Sequence, residues 1–254
     1  LGILFERLGY HAAPLSLSGC LVDVAQTIQK FNSDSSCNKI LGSIIAGEIY
    51  TSAILEPSNQ DPENPATSAL IEGNELIISG TKYLSELASI AKNILVSVNS
   101  DEGVLLVLVK SDQVKLTELS STANSPLFKV DLESVRIDRK SIIHEKGKGL
   151  EALRYLLQIN MVMRSYFALG VNEKMTSLIA SYTSEREQFG RVIGTFQAVS
   201  HRAANCFIDL ECHRLVNQQA SIKLNTSLDC ENDALVSKIW AGNTSHRTSY
   251  SAQH

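Results

Sequence analysis

Three side chains of the kind that bind anions and flat rings lie close together near residue 190. The segment "YTSEREQFGRVIGTFQAVSHRAAN" runs from Tyr182 to Asn205. Arg186 carries a permanently charged, planar guanidinium that suits carboxylate or phosphate oxygens. Phe189 offers a flat apolar face, and Gln197 adds an amide. An anion with a flat ring, such as a dinucleotide, matches this set.

The same residues also have a purely structural interpretation. Arg186 can pair with Glu185 or Glu187, and Phe189 can belong to the core, because such helix corners are common. The apolar spacing predicts that Arg186 and Phe189 lie on the final turns of a long helix. Gly190 suits the end of that helix, since glycine tolerates the left-handed conformation found there.

Cysteine and histidine spacing predicts no metal site. The cysteines are odd in number and form no C-x-x-C pair, and no histidine lies at metal-ligand spacing near them. We therefore expect free thiols in a reducing compartment. The five are Cys20, Cys37, Cys206, Cys212 and Cys230.

Bulk composition argues against two classes of function. The net charge is -4 and both signs are mixed along the chain, so no basic stripe for nucleic acid is present. The apolar run from Gly103 to Val109 is too short to cross a bilayer, and there is no signal-peptide pattern. We expect a cytoplasmic protein, or one of the mitochondrial matrix if the source is eukaryotic.

Hydrophobic periodicity indicates the elements that must position these residues. Residues 1–47 show short helical patterns, and residues 48–143 show short β-branched runs separated by turn residues. Residues 144–254 show apolar residues at steps of three, four or seven, which is typical of amphipathic helices. The expected fold class is α+β, mainly α: a partial N-terminal helical domain, a central β-domain and an incomplete C-terminal helical bundle.

Local signals sharpen this outline. Gly73-Asn74, between two strand-like runs, predicts a hairpin, and Gly19–Phe31 has the pattern of one helix. A long helix is predicted from Leu150 to Tyr182. A second follows Gly194, which lets the chain turn closely, and a third begins near Asp229. Short loops between long helices favour antiparallel packing.

The corner closely resembles the signature of the acyl-CoA dehydrogenase family, in which a Tyr, an Arg-x-x-Phe-Gly and a Gln-Ala mark this position. The order of helices, strands and bundle is also the family's order. "AILEPSNQD" resembles the family's Thr-Glu-Pro segment, and "GNELIISGTKYL" resembles its hairpin ending in Asn-Gly-x-Lys-x-Trp. "YSAQH" looks like the start of its Gln-x-x-Gly-Gly segment. The resemblance covers nearly the whole chain.

This resemblance implies an FAD-dependent oxidoreductase of fatty acid or lipid metabolism that dehydrogenates an acyl-CoA thioester. A carboxylate removes the α-proton while the β-hydrogen leaves as hydride to the flavin, and an electron-transferring flavoprotein then takes the electrons. A homo- or hetero-oligomer, dimer or tetramer, is also implied. The residues expected to reach the pyrophosphate and adenosine half of a neighbouring subunit's FAD are Arg186, Phe189, Gln197 and Gln253.

Three positions depart from the family pattern around the flavin ring. Leu55 stands where the family has a flavin-contacting Thr. Leu84 and Glu86 stand where a Trp and a Thr contact the isoalloxazine, although a shift of one residue puts Ser85 there. At Leu55 a polar flavin contact of the family has become apolar. At Glu86 a negative charge takes a position near the place where the reduced, anionic flavin forms in the family.

The sequence supplies no catalytic base. Most family members carry it beyond the position of His254, and a few carry it at the position of Asn160, whose amide accepts no proton at neutral pH. Met161 replaces an Arg that many members have next to that position. Arg164, one turn on, either replaces that Arg or pairs with a neighbouring acid, and Glu56 is interpreted as a turn-capping carboxylate.

Two functions therefore remain open. One is an acyl-CoA dehydrogenase whose base lies outside this sequence and which acts on bulky or unusual acyl groups, including steroid side chains. The other is a non-catalytic subunit that completes a partner's FAD site. The sequence starts at Leu1 without Met and stops at His254 inside a helical pattern, so we expect a family member truncated at both ends.

Overall fold

The computed structural model describes residues 1–31, 35–122, 125–226 and 228–254, and it leaves the side chains of residues 35–37 undescribed. The chain divides into two compact units. The helical unit comprises residues 1–15 and 158–254, and the sheet unit comprises residues 16–157. The predicted domain boundaries, at 1–47, 48–143 and 144–254, stay a prediction.

A seven-stranded mixed sheet organises the sheet unit and confirms the predicted series of strands. The strands are β1 Tyr50–Ala53, β2 Ser68–Glu72, β3 Glu75–Glu86, β4 Asn93–Ser100, β5 Gly103–Lys110, β6 Lys115–Leu119 and β7 Leu127–Asp138. They lie in the order β1-β4-β2-β3-β7-β6, with β5 also paired to β4. Both β1 and β2 run parallel to β4, and the remaining neighbours are antiparallel.

The predicted turn between β2 and β3 is confirmed. The two strands pair antiparallel up to Glu72 and Glu75, and Gly73 in the turn has φ +60°. Along β3 the buried side chains alternate, so Leu76 and Ile78 lie in the core. The same alternation places Lys82 inside.

Short helices precede this sheet within the sheet unit. A π-helical segment, Ser18–Gln26, leads into α2, Thr27–Phe31, and α3 is Ser35–Ile45. The predicted helix of residues 19–31 is therefore present, but its first part has π rather than α hydrogen bonding. Two contacts with β1 accompany the wider turn. A Cβ on Gly19 would lie 2.8 Å from Thr51 Oγ1, and Ser52 Oγ donates to Asp23 Oδ2 at 2.5 Å.

Long helices build the helical unit, as the periodicity predicts. They are α1 Gly2–Tyr10, α4 Gly149–Glu185, α5 Gln197–Asn225 and α6 Glu231–Gln253, and the first turns of α4 belong to the sheet unit. Within the described part of the chain, no helix has the length and apolar character needed to cross a membrane.

Glycines allow α1 and α4 to approach closely. A Cβ on Gly9 would lie 1.9 Å from the carbonyl oxygen of Phe167, and one on Gly170 would lie 1.8 Å from that of Glu6. Neither backbone oxygen can rotate away. This crossing therefore depends on the absence of a side chain at both positions.

Gly170→Ala is expected to lower the free energy of unfolding of the helical unit by about 1–3 kcal/mol, because the added methyl forces the helices apart. Urea unfolding followed by the fluorescence of Trp240, the single tryptophan, measures this. Gly242→Ala is the matched control. A Cβ at this position on α6 would have nothing within 4 Å, so alanine there should be neutral or stabilising. Equal losses from both variants would contradict the packing argument.

The core of the helical unit contains a polar cluster. Ser165, His213, Asn217 and Ser237 are all fully buried. The Ser165 hydroxyl lies 2.8 Å from His213 Nε2 and 2.8 Å from Asn217 Oδ1, and Ser237 Oγ donates to the same Asn217 oxygen. His213 Nδ1 has no hydrogen-bond partner among the described residues. Burial, with the nearby Arg214 charge, lowers the pKa of His213 to about 4.

The cysteines with described side chains are free thiols, as expected. Burial raises the pKa of both Cys20 and Cys230, which disfavours the reactive thiolate. The side chain of Cys37 lies outside the described residues.

Candidate functional site

A tight hairpin, rather than a helix end, forms the corner. Helix α4 stops at Glu185. Two short antiparallel strands follow, β8 Glu187–Gln188 and β9 Arg191–Val192. Phe189 and Gly190 join them with φ +55° and +77°, and positive φ at both turn residues is what type I′ hairpin turns require. The prediction that Arg186 and Phe189 lie on the final turns of the helix is therefore wrong, and Gly190 serves the hairpin turn instead.

The predicted contact residues are all on the surface. Phe189 is 91% exposed, so the alternative that it belongs to the core is wrong. The Arg186 side chain is exposed and, among the residues the structure describes, forms no ion pair with Glu185 or Glu187. Gln197 and Gln253 are exposed as well, at the first residue of α5 and the last of α6. Their assignment to FAD stays a prediction.

Close packing fixes how the chain leaves the hairpin. Residues Ile193–Thr195 form a 3-10 turn before α5. A Cβ on Gly194 would lie 2.9 Å from the carbonyl oxygen of Thr183. The predicted close turn at this glycine is confirmed, and the amide of Ile193 also donates to the carbonyl of Arg186 at 2.8 Å. The hairpin is thus closed at its base by backbone contacts.

The start of α5 adds backbone donors to this corner. Phe196 is its N-cap and supplies no side-chain hydrogen bond. The first amides of a helix lack intrahelical acceptors and carry partial positive charge. Arg186 adds a permanent charge on the other side of the hairpin, eleven residues before the start of α5, so the corner combines features that suit a phosphate group.

A largely apolar groove lies beside the hairpin within the helical unit. It has a volume of about 700 Å³ and is formed by the end of α4, the 3-10 turn, the start of α5 and the end of α6. Gln253 lines it, as does Arg202. Of the predicted contact residues, only Gln253 is among its lining residues. The groove residues that border the corner are Tyr182, Thr183, Ile193, Ala198 and Val199.

The positions predicted to face the flavin ring lie in the sheet unit. Leu55 is 48% exposed and Leu84 is 45% exposed. Glu86 accepts a hydrogen bond from Ser18 at 3.2 Å. Ser85, the alternative contact, is buried and donates to the carbonyl of Ser52 at 2.9 Å. The exposed side chains here are therefore the two leucines, which offer no hydrogen-bond donor.

A bulge in β3 determines where Leu84 points. The pairing between β3 and β7 shifts register between Lys82 and Ser85, and Leu84 has φ +58°. Left-handed backbone is uncommon for leucine and must be held by its surroundings. The amide of Tyr83 donates to the carbonyl of Leu55 at 2.8 Å, which joins the bulge to the segment after β1.

A buried ion pair anchors the same segment. Lys82 Nζ lies 2.7 Å from Glu56 Oε1, and the two side chains are 0% and 4% exposed. Lys82 Nζ also donates to Ser97 Oγ at 3.0 Å and to the carbonyl of Ile54 at 3.3 Å. Burial lowers the pKa of Lys82 to about 8, and the Glu56 carboxylate opposes this shift. Glu56 and Lys82 hold in place the chain next to Leu55 and Tyr83–Leu84.

Glu56 also caps the following loop, as predicted. Its Oε2 accepts from Asn59 Nδ2 at 2.8 Å and from the amide of Ala66 at 2.6 Å. Its Oε1 accepts from the amide and the hydroxyl of Thr67 at 2.8 and 2.6 Å. Burial alone would raise the pKa of Glu56, but these hydrogen bonds, with that from Lys82, lower it to about 2. Such a carboxylate is a poor proton acceptor, which supports its structural role.

Asn160 and Arg164 contact each other along α4. Arg164 Nε donates to Asn160 Oδ1 at 3.0 Å. The position at which some family members place a carboxylate therefore carries an amide engaged with a cation.

Two features of the site were missed by reasoning from the sequence. The burial of Lys82 had a signal, because β3 alternation places it on the same side as Leu76 and Ile78. The contact of Arg191 with Phe196, at 4.0 Å from guanidinium carbon to ring centroid, had none. It depends on the hairpin geometry, which the helical pattern concealed.

Comparison with known proteins agrees with the fold and the corner. Residues 147–253 match the family model of the acyl-CoA dehydrogenase C-terminal domain. Acyl-CoA dehydrogenase FadE27 of Mycobacterium tuberculosis is 26% identical over 97% of this chain and 67% of its own length. The chain thus spans about two thirds of the length of this curated relative.

Solved structures give the same result. A Tcur3481-Tcur3483 steroid ACAD is 29% identical, with a TM-score of 0.89, covering 100% of this chain and 68% of that one. The ChsE4-ChsE5 complex from Mycobacterium tuberculosis is 25% identical, with a TM-score of 0.90, covering 99% and 67%. Two structures of PigA with FAD also match, and because PigA is 23% identical to this chain, they show the fold alone.

The match of residues 147–253 to the family model and the similarities over nearly the whole chain indicate the acyl-CoA dehydrogenase family.

Proposed function

We propose that this chain is a subunit of an FAD-dependent acyl-CoA dehydrogenase that passes electrons to an electron-transferring flavoprotein. One observation carries the proposal: the corner presents Arg186, Phe189 and Gln197 to solvent, and the core buries none of these side chains. Exposed charge and an exposed ring on the hairpin suit a dinucleotide supplied by a neighbouring subunit.

The residues present fit the adenosine and phosphate half of FAD. Arg186 and the uncapped start of α5 supply positive charge and donors for phosphates. Phe189 supplies a face for a flat ring, and Gln253 supplies an amide from the end of α6. The flavin would accept the hydride from the substrate. The chain's own task at this corner is to bind and orient the nucleotide.

Arg186→Ala is expected to weaken FAD affinity about tenfold to a hundredfold, since a charged hydrogen bond contributes about 1.5–3 kcal/mol and each 1.4 kcal/mol is tenfold. Titration of the purified protein with FAD, followed by flavin absorbance, measures this. Arg136→Ala is the control, because Arg136 is an exposed arginine of the sheet unit that pairs with Glu72 and Glu75. Unchanged affinity in the Arg186 variant would overturn the assignment.

A second role is favoured by a separate observation. The exposed flavin-facing positions Leu55 and Leu84 offer no hydrogen-bond donor, and Asn160 is engaged by Arg164. These features support a non-catalytic subunit that completes the FAD site of a different chain. One similar structure, the ChsE4-ChsE5 complex, is named for two different components.

The visible spectrum distinguishes these two roles. A catalytic subunit purified without a partner should be yellow, and its flavin band should bleach when an acyl-CoA is added. A non-catalytic subunit should carry no flavin band alone, and its addition to a flavin-bearing partner should raise that partner's flavin content. Bleaching of the lone chain by a thioester would exclude the second role.

For the substrate, we propose a bulky acyl-CoA, including steroid side chains. Support comes from the similarity to a steroid ACAD at 29% identity. Comparing the rate of flavin bleaching by short linear acyl-CoAs and by steroid acyl-CoAs tests this, with faster bleaching by the steroid thioester expected.

A further inference from the structure

The tip of the β8–β9 hairpin holds an aromatic side chain in an unusual state. Phe189 is 91% exposed and has φ +55°. A left-handed backbone is rare for side chains other than glycine, asparagine and aspartate. An exposed phenylalanine in this conformation contributes almost nothing to the core, so its side-chain contact lies outside the core.

A stack of three side chains provides that contact. The Arg191 guanidinium carbon lies 4.0 Å from the centroid of the Phe196 ring. The Phe196 ring in turn meets the Phe189 ring edge to face, with centroids 6.2 Å apart and planes at 90°. Both geometries fall within the ranges of favourable cation–π and aromatic contacts. Arg191 and Phe196 thus restrain Phe189 without covering it.

The stack also joins the hairpin to the first turn of α5. Phe196 is half-buried and is the N-cap residue directly before Gln197. Arg191 lies in β9. The Phe196 ring therefore contacts Phe189 at the hairpin tip, and Phe196 directly precedes Gln197 at the start of α5. Phe189 and Gln197 are two of the predicted nucleotide contacts.

We propose that Arg191 and Phe196 are positioning residues, which act through Phe189 and Gln197 to hold the nucleotide-binding corner in one geometry. This inference rests on the proposed function, because the bound ring is taken to be that of FAD. Neither residue needs to touch the nucleotide. Their effect on affinity comes from ordering Phe189 before binding, since a preorganised contact loses less entropy on binding.

Two variants test the stack. Phe196→Leu and Arg191→Gln should each weaken FAD affinity about threefold to tenfold, and Arg191→Lys should restore most of the loss, because it keeps a cation over the ring. Phe207→Leu is the matched control, since Phe207 is an exposed phenylalanine on α5, the helix that follows Phe196. The measurement is FAD titration of the purified protein, assembled with the partner subunit that shares its FAD site where one is required.

Amide hydrogen exchange in the absence of FAD separates this inference from the proposed function. In Phe196→Leu and Arg191→Gln, the backbone amides of residues 187–193 should exchange faster than in wild type. In Phe207→Leu they should exchange at the wild-type rate. Unchanged exchange overturns the stack itself. Faster exchange with unchanged FAD affinity overturns the positioning role. A wild-type protein that neither binds FAD alone nor raises the FAD content of a partner subunit overturns the proposed function and with it the nucleotide role, whatever the exchange shows.

Discussion

Glu56→Gln is expected to lower the free energy of unfolding of the sheet unit by about 3–5 kcal/mol, the usual cost of removing one partner of a buried ion pair. Lys82 has no exposed surface, so its ammonium cannot recover water when the carboxylate is lost. The hydroxyl of Ser97 and the carbonyl of Ile54 remain as its partners, and neither is charged.

The amide also mismatches the donors around the second carboxylate oxygen. Oε1 faces Lys82 and Thr67, whereas Oε2 accepts from Asn59 Nδ2 and from the amide of Ala66. Whichever way the glutamine is oriented, its NH2 group meets donors that previously had an acceptor. Buried groups without a partner cost about 1–3 kcal/mol each, so the loss is not only electrostatic.

An exposed pair in the same unit is the control. Lys92 Nζ lies 2.6 Å from Glu48 Oε1, but both side chains are largely solvated, at 55% and 38% exposed. Glu48→Gln should therefore leave urea unfolding, followed by circular dichroism, nearly unchanged. If the unpaired Lys82 ammonium causes the loss of stability in Glu56→Gln, adding Lys82→Met should recover part of the lost free energy of unfolding. Equal losses for the buried and the exposed glutamate would contradict this account.

Most of the fold could be predicted from periodicity and turn chemistry. The β-branched runs that predicted strands such as β3, the turn at residues 73–74 and the apolar repeat in α4 are local patterns, and each indicated the observed element. The π-helical hydrogen bonding of Ser18–Gln26 could not be predicted. It accompanies the close approach of Gly19 to Thr51, a contact between segments distant in sequence.

The corner shows why the site was harder to predict than the fold. Two-residue hairpin turns are usually announced by residues that tolerate positive φ, such as asparagine followed by glycine. Here phenylalanine takes the first turn position, so the pattern resembled a continuing helix that ends at Gly190. The residue types suggested a nucleotide-binding corner, which stays a prediction, whereas the hairpin backbone and its Arg191–Phe196–Phe189 contacts had no signal in the sequence.

The buried pair and the exposed leucines belong to one local design. Lys82 precedes the bulge at Tyr83–Leu84, and Glu56 follows Leu55. Because the pair is fully buried, the two leucines are held at the surface by charged groups that themselves cannot reach a ligand. Changing Leu55 or Leu84 should therefore alter ligand contacts while leaving the ion pair intact, which makes them suitable sites for testing the two proposed roles.

Acidification from pH 6.5 to about 4 is expected to lower the free energy of unfolding of the helical unit by about 3 kcal/mol through His213 alone. The pKa of His213 is about 4 in the folded chain because of its burial and the nearby Arg214 charge, against an ordinary value of 6.5. The unfolded chain therefore binds more protons over this window. The contribution is fully present above pH 6.5 and is lost as the pH falls toward 4.

His213→Gln isolates this contribution, because glutamine can still hydrogen-bond Ser165 but does not titrate in this range. Urea unfolding followed by Trp240 fluorescence should show a smaller loss of stability between pH 6.5 and 4 in the variant than in wild type. His144, in the sheet unit, also has a pKa lowered by burial, so the difference between the two proteins is the relevant quantity. If both proteins lose the same free energy of unfolding on acidification, protonation of His213 does not account for the acid sensitivity of the helical unit. In that case the folded chain accommodates a protonated His213.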